Sequence, residues 1–198
     1  SALMQGLADG YFVAPVSIGN YLGGTKLEPV TKDHEAFQAA ENEVRGKVDK
    51  LLAVQGETTV DEIYKDLGNI MWEKCGMSRH ADKLKEALVE IPKLKEKFWN
   101  DVKVTGSTDN LNNDLEVAGR VADFLEIGEL MCRDALERNE SAGGHFREEY
   151  QTEENEALRD DENYCHVAAW EHVEGKTPER HTESLEFKYV PLTQRSYK

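Results

Sequence analysis

The chain has 198 residues, 39 acidic against 24 basic, and a formal charge of −15; a field of that sign repels nucleic-acid phosphates and anionic membrane surfaces and argues against a nucleic-acid role. Apolar residues make up 39% of it and recur periodically, with Trp72, Trp99 and Trp170 among them, so the charges read as solvated helix faces around one core rather than as disorder. Cys75, Cys132 and Cys165 are too scattered for a disulfide framework and fit a reducing compartment, and no apolar run approaches the ~18 residues that span a bilayer.

Ser1 to Ala14 starts inside an apolar, small-residue pattern and reads as a cut end. Gly6, Ala8, Gly10 and Ala14 among Leu3, Leu7, Tyr11 and Phe12 predict a helix able to approach a neighbouring backbone closely, and Pro15 is expected to bend or end it. A Gly23 to Pro29 linker follows. Residues 33–55 carry Phe37, Val44, Val48, Leu51 and Leu52 at helical spacing. Thr59-Val-Asp-Glu62 is a capping-box pattern opening a helix with Ile63, Leu67, Ile70 and Met71, for which Gly76 suits a left-handed cap. Ser78 is the expected cap of a third helix bearing Leu84, Leu88, Ile91, Leu94 and Phe98, with Pro92 as a possible kink point. A polar loop from Asn100 to Asn110 precedes a helix over Leu111 to Glu137 of roughly seven turns.

After Ser141 the character changes. A Glu- and Gln-rich loop leads to His166–Trp170, and Leu185, Phe187 and Tyr189 alternate as in a half-buried strand. The expected fold is mainly α: an antiparallel, spectrin-repeat-like bundle of three main helices with a β-like C-terminal extension. The expected domains are residues 1–28, 29–140 and 141–198.

Ser141, His145, Arg147, Arg159, Asp160 and Asp161 form the most suggestive constellation, since His and Arg bind carboxylates and paired Asp tune their charge. Composition alone favours the plainer reading, in which Arg159 and its aspartates brace a loop through ion pairs and helix caps. Cys165, His166, His172 and His181, or Cys75 with His80, offer metal donors without metal-site spacing. Cys132, beside Met131 in the long helix, reads as an ordinary buried thiol and not a nucleophile. Tyr21 to Lys26 lacks P-loop spacing, and the acidic runs at 148–156 and 160–162 read as solvated surface.

The order of these features, a long helix, a small-residue turn at Ser141–Gly144, His145, Arg147 and then Arg159-Asp160-Asp161, resembles the C-terminal domain of succinate dehydrogenase and fumarate reductase flavoprotein subunits. The segment Ser1 to Gly10 is similar to the helix that follows that family's Arg-Leu-Gly substrate-site motif at the end of its flavin-binding domain. The chain departs from the family where an arginine is missing from the 141–145 turn, and where Ala157-Leu158 stands for the usual proline before Arg-Asp-Asp.

The resemblance implies a parent enzyme that interconverts succinate and fumarate by hydride transfer at FAD and hands electrons to an iron–sulfur subunit. The backbone of Ser1, Ala2 and Leu3 would lie toward the flavin in the full-length protein. Ser141, His145, Arg147, Arg159, Asp160 and Asp161 would support the interface with the FAD-binding domain. It also implies a place on the cytoplasmic side of the inner membrane, peripheral, held indirectly through a membrane-anchor subunit. The catalytic groups would all precede Ser1, so the chain alone is expected to bind no flavin, to be inactive, and to self-associate through its N-terminal helix. The alternative is a free-standing acidic helical interaction module.

Overall fold

The computed structural model of the chain describes residues 2–193 and divides into two compact units, 1–46 and 47–198. In the first, α1 (Ala2–Ala8), a π-helical stretch (Asp9–Val13) and α2 (Ala14–Gly24) follow one another without a break. Pro15 therefore does not end the helix but sits in the first turn of α2. A proline has no N–H to return to the preceding turn, and the wider π turn just before it accommodates the missing bond. No described residue of this unit is buried. Leu3, Leu7, Tyr11, Phe12, Val16 and Ile18 face outward, and a Cβ added at Gly6 or Gly10 would meet nothing.

The helix α3 (Glu35–Ala53) ends in the second unit, where Leu51 is buried and Lys50 Nζ lies 3.9 Å from the centre of the Trp99 ring. The three longest-packed helices follow: α4 (Val60–Cys75), α5 (Ala81–Asp101) and α6 (Asn113–Glu137). Thr59 Oγ1 accepts from the Glu62 amide at 3.3 Å while Glu62 accepts from the Thr59 amide at 2.8 Å, the reciprocal capping box read from the sequence. Ile63 and Leu67 of α4, Leu84, Ile91 and Phe98 of α5, and Val121 and Leu125 of α6 face one another in a single core.

Two short strands, β1 (Thr58–Thr59) and β2 (Val102–Lys103), pair in parallel. They fasten the start of α4 to the end of α5, so those helices run antiparallel. Glycine is required at position 56, where a Cβ would fall 2.0 Å from the Asp101 carbonyl oxygen. Lys74 bridges α4 to Glu86 and Glu90 of α5. The side chain of Asn112 accepts from the Leu115 amide at 3.0 Å and caps α6; Leu111, expected inside that helix, lies just before it and fully exposed.

Other local expectations change. Gly76 has φ of −73°, not a left-handed value; a Cβ there would sit 2.6 Å from the Trp72 carbonyl oxygen, so the residue is small for clearance. His80, not Ser78, caps α5, its Nδ1 accepting from the Asp82 amide at 3.2 Å. Ser78 instead donates to Glu148 at 2.6 Å. Past α7 (Asp161–Tyr164), β3 (His166–Glu171) and β4 (Glu179–Ser184) form an antiparallel ribbon, with His166 opposite Ser184 and Glu171 opposite Glu179.

The strand expected at Leu185–Tyr189 is thus displaced to the polar segment before it. The turn through Gly175, at φ +67°, sets the register, and β3 is used up by Ser184. The Leu185 amide goes one step further, donating to the Cys165 carbonyl at 3.0 Å.

Candidate functional site

A helix C-terminus leaves carbonyls without intrahelical partners and carries partial negative charge. At the end of α6 that demand is met by Arg147, only 2% exposed. Its Nη1 donates to the Ala135, Leu136 and Arg138 carbonyls at 2.9, 3.3 and 3.4 Å. Its Nε and Nη2 donate to the two carboxylate oxygens of Glu149 at 3.2 and 3.1 Å. Glu149 also accepts from the Ala81 amide at 2.6 Å, at the first residue of α5, where a carboxylate is favoured. One Arg–Glu pair therefore joins the end of α6 to the start of α5. Burial pushes the Glu149 carboxyl up, but the Arg147 fork and the Ala81 amide outweigh it and hold the pKa at about 2.

Ser141, fully buried, fixes the turn: its Oγ accepts from the Arg147 amide at 2.8 Å and donates to the Arg147 carbonyl at 3.1 Å. Arg79 and Arg147 also pair as a parallel bridge, the Arg79 amide donating to Phe146 and the Glu148 amide to Arg79. His145 is set between arginines. Arg79 Nη1 lies 3.0 Å from its Nδ1, which must accept, so Nε2–H donates to the Arg138 carbonyl at 2.9 Å. Burial lowers the His145 pKa, and the charges of Arg79, Arg147 and Arg138 lower it further against the opposing carbonyl bond.

Glu140, unlike the exposed Glu149, is a buried carboxylate; it accepts from Arg138 Nε at 2.7 Å and from the Asp160 amide at 2.9 Å. Arg138 Nη2 reaches the Tyr164 carbonyl at 3.0 Å. Asp160 caps α7 through the Asn163 amide at 3.2 Å. Arg159 pairs with Asp161 through Nε at 2.9 Å and reaches the Thr193 carbonyl through Nη1 at 3.1 Å.

Ser141, His145 and Arg147 thus share one cluster, and Glu140 links it to the loop of Arg159, Asp160 and Asp161, whose side chains turn to their own neighbours. Each guanidinium nitrogen of Arg147 has an acceptor in the fold and the side chain is buried, so it is committed to closing the helix end. Sequence reasoning missed Arg79, Arg138, Glu140 and Glu149. The only signal for them was the density of opposite charges flanking a helix end.

Ser1 lies outside the described residues; Ala2 and Leu3 open α1, exposed. Among the described residues one group of metal-type donors gathers, Glu171, Glu179 and His181, all exposed, with His181 Nε2 2.8 Å from Glu171. No described helix is long and apolar enough to cross a membrane.

An antiparallel three-helix bundle whose open end is closed by an Arg–Glu network, with a β-ribbon beyond, defines a mainly α-helical domain. Residues 64–197 match the family described as fumarate reductase flavoprotein C-term, and the chain belongs to that family. Among curated relatives, the fumarate reductase flavoprotein subunit of Haemophilus influenzae is 28% identical over 158 residues, covering 79% of this chain and 25% of that one. The Helicobacter pylori subunit of the same name is 30% identical over 177 residues, covering 88% and 24%. The chain spans about a quarter of the length of these relatives. A chain of E. coli quinol fumarate reductase shares the fold with a TM-score of 0.70 at 22% identity, over 83% of this chain and 27% of that one.

Proposed function

We propose that this chain is the C-terminal part of the FAD-containing subunit of a succinate dehydrogenase or fumarate reductase, whose whole interconverts succinate and fumarate and passes electrons to an iron–sulfur subunit. The observation that carries this is the family match over residues 64–197, supported by relatives named as fumarate reductase and succinate dehydrogenase flavoprotein subunits. In that whole the assembly is peripheral to the cytoplasmic face of the inner membrane and reaches it through a membrane-anchor subunit.

The part played by this chain is structural. The bundle and its Arg147–Glu149 closure give a rigid body, in which Ser141, His145 and Arg147 brace from within the segment whose Arg159, Asp160 and Asp161 support the FAD-binding domain. The apolar helix of residues 2–24, with no buried residue and open space around Gly6 and Gly10, joins the chain to that same domain. The residues present do not by themselves fit a flavin: an exposed helix start offers no enclosure for a cofactor of that size.

The test uses the purified chain. No succinate-dependent reduction of an artificial dye and no co-purifying flavin are expected; either one overturns the structural assignment. Light scattering should show self-association that disappears when residues 1–28 are removed, because an apolar helix face without its domain seeks a substitute. A chain that is monomeric with or without those residues favours a free-standing interaction module.

A further inference from the structure

Side chains alternate faces along a strand, and the ribbon obeys this: Val167, Ala169 and Glu171 of β3 are exposed, while His166, Ala168 and Trp170 are half-buried. Trp170 pins the inner face to α6, its Nε1 donating to Asp134 at 2.8 Å. The pairing sets Glu179 opposite Glu171 and His181 opposite Ala169, so both glutamates and the histidine stand on the outer face, beside the turn that joins the strands. His181 Nε2 lies 2.8 Å from Glu171 Oε2. One donor atom from each of the three side chains falls within 4.8 Å of the other two.

This arrangement calls for a cation. Like charges directly opposite one another in an antiparallel pair destabilise it, yet among the described residues no lysine or arginine pairs with Glu171 or Glu179. Arg180, between Glu179 and His181 in sequence, serves the inner face, its Nη2 2.9 Å from His166 Nε2. The imidazole of His181 offsets the carboxylates only when protonated. A two-stranded ribbon is itself marginal in water, so an uncompensated repulsion at its mouth matters.

We propose that Glu171, Glu179 and His181 form a binding site for a divalent cation of zinc's class, which clamps the two strands beside their turn. Zinc takes imidazole nitrogen and carboxylate oxygen at about 2.0–2.2 Å in tetrahedral geometry, which sets neighbouring donors about 3.4 Å apart. Exposed side chains reach that spacing by small rotations. The ion takes the place of the hydrogen between Nε2 and Glu171: the neutral imidazole carries its one proton on Nδ1 and offers Nε2 as ligand. The two carboxylates balance the ion's charge, and water fills the fourth position. The imidazole decides the class of ion, because magnesium and calcium take oxygen ligands and gain nothing from His181. With ligands on both strands, the ion turns a repulsive pair into a cross-strand tie.

The experiment titrates the intact chain, first stripped with a chelator, with Zn2+ by calorimetry at about pH 7.5. One ion per chain is expected, with the amide NMR signals of Glu171, Glu179 and His181 moving and those of the α4–α6 core staying in place. Glu179→Gln and His181→Ala, both at exposed positions, should each weaken binding by about ten-fold or more, since even partners outside a metal's ligand shell are worth that much. His172→Ala and Cys165→Ser should leave it unchanged, and Mg2+ in large excess should not displace the zinc. Zinc that binds His181→Ala as well as the unsubstituted chain, or that yields to Mg2+, would reduce the cluster to an acidic surface and overturn the proposal. Binding that is lost with His172 or Cys165, or no binding at all, overturns it equally.

Discussion

At the centre of the apolar core between α4, α5 and α6 and at the centre of the polar closure at the end of α6 lie equally buried side chains: Phe98 is 0% exposed and Arg147 2%. They hold the same three helices by opposite physics. The core gains from removing carbon from water, which is non-directional and indifferent to pH. The closure has to replace lost hydration atom by atom, so it is worth having only while each donor finds its acceptor. A region of the first kind tolerates approximate geometry; one of the second kind fails as a unit.

The largest expected effect is on the core side. Truncating Phe98 to alanine removes a fully buried ring that meets Trp99 edge-on at 5.0 Å, and should lower stability by about 4 kcal/mol. The urea midpoint should fall with an unchanged slope, and by the same amount at pH 5.5 and 7.5; a loss that changes with pH would break the contrast. Arg147→Leu comes next. It strands two α6 carbonyls and that of the cap Arg138 and unpairs Glu149, at a cost of about 3 kcal/mol, most of it from the unsatisfied carbonyls. Adding Glu149→Leu to it should cost less than the two single changes summed. Strict additivity would show that the pair does not couple α6 to α5.

A smaller effect belongs to the capping box at the opposite end of the bundle. Thr59→Ala removes the acceptor of the Glu62 amide and should cost about 1 kcal/mol in the same urea titration. Thr59 is exposed, so a loss as large as that of Phe98→Ala would mean that the β1–β2 staple, and not the cap, depends on it.

These two kinds of burial were not equally legible in the sequence. The bundle is visible because the spacing of Ile63 and Leu67, Leu84 and Ile91, and Val121 and Leu125 records which helix face is dry, and Thr59 and Glu62 record where a helix starts. The closure is visible only in outline. Ser141, His145 and Arg147 stand out by type, but Glu140, buried, and Glu149, paired with Arg147, sit in an acid-rich stretch where engaged carboxylates and free ones are written with the same letter. What separates them is an arginine brought close by the fold. The ribbon register was hidden for a related reason: Leu185, Phe187 and Tyr189 have the better strand alternation, yet the turn at Gly175 pairs the polar residues 179–184 first.

The smallest effect is the most specific to the closure, and it concerns pH. His145 is neutral in the fold, accepting from Arg79 and donating to Arg138, with the charges of Arg79, Arg147 and Arg138 around it. Its folded pKa lies below the ordinary 6.5, so the unfolded chain binds its proton first, and the contribution is fully present above about 6.5 and is lost as pH falls from there through the folded value. Glu149 behaves in the same direction further down: held at about 2 against an ordinary 4.5, it contributes above 4.5 and loses its contribution as pH falls toward 2. The urea midpoint should therefore begin to decline as pH falls below about 6.5 and decline further below about 4.5. His145→Gln should flatten the upper window and leave the lower one, while Phe98→Ala should flatten neither. If His145→Gln leaves the slope between pH 6.5 and 4.5 unchanged, the histidine is not held neutral by its three arginines, and the closure is less directional than its geometry requires.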